Sequence, residues 1–116
     1  MHTYNIPTDK EIANKAKTLI VENYSNYDSV NGLAKKIGTN PNKLKIVFRK
    51  EYGVSLFQFS RTQRIEYAKK LLSETNYTLP VIGELVGYTE GNNFQAAFKS
   101  VVGIAPGAYR KNIPPI

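Results

Sequence analysis

Apolar side chains recur every three or four residues along most of the chain, which is the spacing of one face of an α-helix. Capping residues mark where such segments begin, as at Thr8, which stands three residues before Glu11. The pattern predicts a first helix from Thr8 to about Asn23, a second from Val30 to Ile37 and a third from Pro41 to Tyr52. Continued along the chain, it predicts an all-α fold of about seven helices.

The third of these helices has two unlike faces. One face is largely apolar and consists of Leu44, Val47 and Phe48, completed by Glu51 or Tyr52. The other presents amide, ammonium, methyl and guanidinium groups from Asn42, Lys43, Lys45, Ile46 and Arg49. Since a short helix and a tight Gly38-Thr39 turn precede it, the segment is interpreted as a helix-turn-helix whose second helix enters the DNA major groove.

The chain then repeats this pattern, with one extra residue in the second turn, around Thr89 to Gly91. Ser29-Val30, Leu33-Ala34 and Ile37-Gly38 are matched by Thr78-Leu79, Ile82-Gly83 and Val86-Gly87. A second helix-turn-helix is therefore predicted, with its second helix running from about Glu90 to Val102. Its buried positions are expected to be Phe94, Ala97, Phe98 and Val101. Its candidate DNA-contacting positions are Gly91, Asn92, Asn93, Gln95, Ala96 and Lys99.

These segments divide the chain into a flexible tail (1–7), a first helix-turn-helix subdomain (8–54), a linker helix (55–74), a second subdomain (75–111) and a frayed tail (112–116). The linker helix is predicted to bury Leu56, Phe59, Ile65, Ala68, Leu71 and Leu72, and to expose Arg61, Arg64, Lys69 and Lys70. At about 20 residues it would be ~30 Å long.

Composition narrows the classes of function. The net charge of +7 and the pI near 9.6 favour a polyanionic partner. There is no cysteine, and the single histidine, His2, stands in the terminal tail. The carboxylates are scattered singly, and no glycine-rich phosphate loop is present, so we expect no enzyme, no metal site and no cofactor. No apolar run approaches the roughly 20 residues of a membrane span, so no membrane partner is expected.

Residues 83–111, GELVGYTEGNNFQAAFKSVVGIAPGAYRK, resemble the AraC/XylS family of bacterial transcription regulators. Members typically show Ile-Ala, then Gly-Phe or Gly-Tyr, then Phe-x-Arg-x-Phe-Lys, Gly-x-x-Pro and Tyr-Arg. The matching residues here are Ile82-Gly83, Gly87-Tyr88, Phe94, Phe98-Lys99, Gly103, Pro106 and Tyr109-Arg110. The linker segment, with Arg64, Ala68 and Leu71-Leu72, is similar to the family's Arg-x-x-x-Ala-x-x-Leu-Leu helix.

The resemblance implies two helix-turn-helix subdomains that address successive major-groove segments of a double-stranded operator, as a monomer on an asymmetric site. It also implies a bacterial regulator that acts in the cytoplasm, activates transcription and has RNA polymerase as a partner. Two positions depart from the family: Ala96 stands where arginine is usual in the second unit, and Ile46 occupies the comparable position in the first. Arginine on guanine is the commonest specific contact, so the second helix is expected to contribute less to base recognition. The first motif and the linker carry eight cations, so the first unit is expected to supply most of the electrostatic attraction to DNA: Lys35, Lys36, Lys43, Lys45, Arg49, Lys50, Arg61 and Arg64.

Some alternatives stay open at the level of sequence. Asn42 and Asn92 stand in first turns, where phosphate contact or local capping competes with base recognition. Ile46 either seals an edge of the core or contacts a thymine methyl group. The rival function is a basic helical module that docks a protein partner or RNA without DNA sequence specificity. Its RNA form is disfavoured because the aromatic residues belong to the buried stripes.

Overall fold

The computed structural model describes residues 6–23, 29–88 and 91–112, with the side chains of residues 91 and 92 excepted. Seven helices form within these ranges, and the fold class is all-α as predicted. They are α1 (Asp9–Glu22), α2 (Val30–Ile37), α3 (Pro41–Tyr52), α4 (Leu56–Glu74), α5 (Leu79–Leu85), α6 (Gly91–Val102) and α7 (Pro106–Lys111). The expected tail residues 1–5 and 113–116, the loop at 25–28 and the turn residues 89 and 90 lie outside the described residues. The chain forms two compact units, Met1–Ser60 and Arg61–Ile116, and α4 spans the boundary.

In the first unit, local hydrogen bonds fix where the helices begin and end. Thr8, Ser29 and Asn40 are N-caps whose side chains accept a backbone N–H three residues later. Gly38 and Gly53 end α2 and α3 at φ values of 91° and 76°, where a Cβ would be strained. The three helices enclose a core in which Ile12, Ile20, Leu33, Leu44 and Phe48 are almost completely buried. The apolar stripe of α3 is thereby confirmed as the core side of that helix.

α4 starts with a reciprocal capping box between Ser55 and Gln58, as the spacing predicts. Five of the six predicted stripe positions are buried, and the exception, Phe59, is only partly buried against the first core. Ser60 is buried at 2% exposure, which the pattern did not indicate.

Two of the four cations expected on the exterior of α4 are also placed differently from the prediction. Arg61 and Lys70 are exposed as expected. Arg64 is half-buried and donates a hydrogen bond to a backbone carbonyl, and Lys69 is half-buried and pairs with Glu66 at 3.3 Å. Both corrections arise because helical spacing gives the direction of a side chain but not the neighbours that cover it.

The second unit is organised around a row of aromatic rings. Centroids lie 5.9 Å apart for Tyr88 and Phe94, 6.0 Å for Phe94 and Phe98, and 5.5 Å for Phe98 and Tyr109. Phe94 and Phe98 are fully buried, as predicted for α6, whereas Ala97, also predicted to be buried, is only partly buried against this core. Apolar residues of α4, of α5 and of the α5 C-cap complete this core: Ile65, Ala68, Leu71, Leu72, Ile82 and the C-cap Val86.

The prediction of a buried Val101 is wrong. This residue is 36% exposed, and Val102 packs against the core instead. Positions three and four residues after Phe98 lie on the same side of a helix, so spacing alone does not decide which of the two continues the stripe.

Candidate nucleic-acid interface

The outer face of α3 lies opposite the buried stripe and is largely polar. All five predicted contact residues of this helix are exposed: Asn42, Lys43, Lys45, Ile46 and Arg49. Ile46 is 67% exposed at the middle of this face, so it does not seal the core edge. The face therefore offers an apolar group flanked by two cations, which matches the mixed chemistry of a major-groove edge.

The N-terminal turn of α3 is held by its own cap. The Asn40 side chain accepts the Lys43 N–H at 2.9 Å, and Pro41 stands at the first helical position, where its missing N–H costs nothing. The Lys43 ammonium lies 3.6 Å from a carboxylate oxygen of Asp9, which belongs to the first turn of α1. Both side chains are well exposed, so this pair is weak and the ammonium can exchange it for another anion.

Lys45 has an aromatic neighbour on α4. Its ammonium lies 6.0 Å from the ring centroid of Phe57, and that ring is 52% exposed. The distance is at the limit for a cation–π interaction. Neither this contact nor the Asp9–Lys43 pair is indicated by the sequence, because in each case the partner lies on another helix.

The C-terminal end of α3 is attached to α1. The Tyr52 hydroxyl donates a hydrogen bond to the Asn14 side chain, and the Lys17 ammonium lies 5.0 Å from the centre of the Tyr52 ring. Burial raises the pKa of Tyr52, and the Glu51 carboxylate beside it raises the pKa further. Tyr52 also packs on buried Phe48, with ring centroids 4.9 Å apart. Together these contacts fix the C-terminal end of α3 against α1.

The outer face of α6 is polar but poor in charge. Asn93, Gln95, Ala96 and Lys99 are all exposed, as predicted. Gly91 and Asn92 begin the helix, and their side-chain positions lie outside the described residues. Lys99 is the only cation in the sequence of α6, whereas α3 contains Lys43, Lys45, Arg49 and Lys50. The two helices thus present surfaces of different character.

Within the described ranges, no three histidine or acidic side chains come together in a group that could hold a metal ion. The same ranges contain no helix that is both long enough and apolar enough to cross a bilayer.

Comparison with known proteins places this geometry in a family. The family model described as "Helix-turn-helix domain" matches residues 33–112. The arabinose operon regulatory protein of Escherichia coli K12 is 33% identical over 86 residues, which cover 74% of this chain and 29% of the relative. The chain is much shorter than such curated relatives, since it spans between 13% and 38% of their length.

Solved structures agree on the fold. The C-terminal domain of AraT, a response regulator from Geobacillus stearothermophilus, superposes with a TM-score of 0.87 at 27% identity, covering 98% of this chain and 92% of that one. The DNA-binding domain of AdpA, in complex with a target DNA, superposes with a TM-score of 0.77 at 23% identity, covering 87% and 90%. Because the family model matches well over half of the sequence, the chain belongs to the AraC-type helix-turn-helix DNA-binding domains.

Proposed function

We propose that this domain directs a transcription regulator to a specific operator by placing α3 and α6 in successive major-groove segments of one duplex. The observation that carries the proposal is a repeated arrangement. In each helix-turn-helix the second helix buries a Phe-centred stripe and exposes a face of amide, aliphatic and cationic groups. The AdpA domain, which shares this fold, was solved with a target DNA bound, and that complex supports the same use of the fold here. Sequence-specific DNA binding is the function of the family, and the assignment of residues to contacts is our own.

In the first unit, we assign the residues on α3 by the chemistry of their side chains. Arg49 can form two hydrogen bonds with guanine, and Ile46 can contact a thymine methyl group. Lys43 and Lys45 are point charges suited to phosphates, and Asn42 stands in the first turn, where phosphate and base contacts are both within reach. This helix would supply most of the electrostatic attraction.

In the second unit, Asn92, Asn93 and Gln95 carry amides that can pair with adenine, and Lys99 can approach a phosphate. Ala96 leaves room beside a base without donating a hydrogen bond, and Gly91 allows the backbone of the first turn to come close to the DNA. We expect these residues to sharpen specificity more than they raise affinity.

We further propose the wider setting that the family suggests. The domain would bind DNA as a monomer, act in the bacterial cytoplasm, carry no enzymatic activity, and activate transcription through contact with RNA polymerase. The two subdomains, 8–54 and 75–111, would each hold one recognition helix, with the linker helix 55–74 between them. The operon regulators among the relatives support this setting, although each of them is far longer than the present chain.

The binding mode can be tested on duplexes selected from a random pool. Arg49→Ala should weaken binding to the selected duplex by ~1–3 kcal/mol and relax the preference at one base pair. Lys45→Ala should weaken selected and scrambled duplexes alike and reduce the salt slope by about one unit. Lys70→Ala, which removes one exposed charge of α4, is the matched control and should leave the preference unchanged. Equal affinity of the wild-type domain for selected and scrambled duplexes would refute sequence recognition.

The thymine contact has a separate test that leaves the protein unchanged. Replacing thymine by uracil removes only the methyl group, so affinity should fall at one position of the selected duplex. Ile46→Ala should abolish that difference. Tighter binding to single-stranded RNA than to any duplex would favour the rival function, a basic helical module that docks RNA or a protein partner.

A further inference from the structure

Arg64 stands in the middle of α4, and its head group faces the turn of the second helix-turn-helix. One terminal nitrogen, Nη1, donates a hydrogen bond to the Gly87 carbonyl at 3.1 Å. The guanidinium carbon lies 5.6 Å from the ring centroid of Tyr88. The residue is half-buried, in contrast with exposed Arg61 one turn earlier on the same helix. The cation is thus engaged by two consecutive residues of one turn.

That turn determines how the chain leaves α5. Gly87 has φ +99°, a left-handed conformation, and its N–H bonds the Glu84 carbonyl at 3.1 Å. The next N–H, of Tyr88, bonds the Gly83 carbonyl at 2.8 Å. The N–H groups of the turn are thus hydrogen-bonded to carbonyls of α5, and the Gly87 carbonyl accepts the hydrogen bond from Arg64 of α4. The turn is therefore fixed to both helices.

The turn is in direct contact with α6 through aromatic packing. The Tyr88 ring lies 5.9 Å from the ring of Phe94, which is fully buried near the start of α6. Phe94 is seated so close to α5 that a Cβ on Gly83 would lie 3.1 Å from its own Cβ. A displacement of Tyr88 would therefore be transmitted to Phe94, because tightly packed groups have little room to absorb it.

We propose that Arg64 is a positioning residue for α6: by holding the Gly87–Tyr88 turn, it sets the placement of the second recognition helix and hence the discrimination of bases there. It does so without touching DNA. The inference rests on the proposed function of α6 and names a residue outside both recognition helices. Functional side chains need support to within about half an ångström from residues behind them, and Arg64 provides that support to α6.

Arg64→Lys separates positioning from a direct phosphate contact. Lysine keeps the charge, so an electrostatic contact with phosphate would survive, but it lacks the planar guanidinium whose Nη1 donates to the Gly87 carbonyl and whose carbon lies 5.6 Å from the Tyr88 ring centroid. Arg64→Gln removes the charge as well. Arg61→Lys and Arg61→Gln on the same helix are the matched controls.

Affinity is measured for the selected duplex and for a duplex scrambled only in the segment assigned to α6, well below the thermal midpoint of each variant and at several salt concentrations. We expect Arg64→Lys to reduce the wild-type preference for the intact duplex by roughly 3- to 30-fold, with little change on the scrambled duplex or in salt slope. Both Arg61 variants should keep that preference. Amide chemical shifts in Arg64→Lys should change in α6 and the 86–88 turn but not in α3.

A wild-type preference in Arg64→Lys would overturn the inference. The inference would also be overturned if Arg64→Lys lost the same affinity for both duplexes and Arg64→Gln had a salt slope lowered by about one unit. That result would indicate a phosphate contact. If Arg64→Gln does not fold, the lysine variant and the chemical shifts still decide the question. A wild-type domain indifferent to the second segment would refute both the assigned role of α6 and this inference, whereas failure of Arg64→Lys alone leaves the proposed function intact.

Discussion

Replacing Asn40 by aspartate should move stability and DNA affinity in opposite directions. Asn40 caps α3 through one side-chain oxygen that accepts the Lys43 N–H at 2.9 Å, and aspartate can make the same bond. The first turn of α3 contains no acidic residue, so a carboxylate at its positive end should add ~0.3–1 kcal/mol of stability. For a domain of this size that is a rise in Tm of roughly 1–4 °C.

The same carboxylate would stand beside phosphates if the first turn of α3 enters the major groove, as helix-turn-helix proteins dock. Adding one negative charge there should lower affinity for every duplex and reduce the salt slope by about one unit. Asn40→Ala provides the contrast, because it removes the cap without adding charge. It should cost about 1 kcal/mol of stability, yet bind DNA nearly as well as the wild type at temperatures where it is folded.

Thermal denaturation followed by circular dichroism measures the first effect, and fluorescence anisotropy on a labelled duplex at several salt concentrations measures the second. Asn76→Asp, at an exposed residue between α4 and α5, makes the same chemical change away from both recognition helices and should leave the salt slope near the wild-type value. If Asn40→Asp is more stable and binds as tightly as the wild type, the first turn of α3 does not approach the phosphates, and the docking proposed above is wrong.

Three other perturbations test the scaffold. Gly53→Ala should lower the free energy of unfolding by ~1–2 kcal/mol in denaturant titrations, because φ is +76° there, and Gly53→Asn should lose less. Arg110→Met should lower Tm by several degrees, since it removes hydrogen bonds to the Leu72 and Thr75 carbonyls at the end of α4. An unchanged Tm would mean that these two hydrogen bonds do not stabilise the end of α4. The folded state favours the neutral phenol of Tyr52, since its pKa is raised there. Its contribution to the free energy of unfolding should therefore be present below pH ~10 and be lost as pH rises through the raised pKa. Tyr52→Phe, compared with the wild type across that range, should lack this part of the alkaline loss.

Most of the fold could be predicted from the sequence because its determinants are local. The caps at Thr8, Ser29 and Asn40 each bond a group three residues away. Gly38, which ends α2, adopts the left-handed conformation at the predicted Gly38-Thr39 turn. The exposed faces of α3 and α6 follow from helical spacing in the same way. What the side chains on those faces contact remains a proposal, since exposure is a property of the free domain.

The errors have the opposite origin, in contacts between segments distant in the chain. Arg64 is predicted to lie on the exterior because it stands off the apolar stripe and charged side chains are usually solvated. Its hydrogen-bond partner, the Gly87 carbonyl, is 23 residues away, and helical spacing contains no information about such a contact. The contact between Lys45 and Phe57 could not be predicted for a similar reason, since no local rule connects the first turn of α4 with α3. Sequence reasoning thus located the helix faces and missed most of the side chains that brace them from neighbouring helices.

The unequal charge of the two recognition helices leads to a further expectation about salt. The four cations of α3 can displace counterions from phosphates, so the contribution of α3 should weaken steeply as salt rises. α6 has one cation, and the role proposed for its amides is hydrogen bonding to bases, which releases no counterions. Total affinity should therefore fall with salt, while the ratio of affinities for the intact duplex and one altered only in the second segment stays nearly constant. Anisotropy titrations from about 50 to 200 mM salt measure both quantities. A ratio that collapses together with affinity would mean that α6 binds mainly through charge, contrary to the role proposed for its amides.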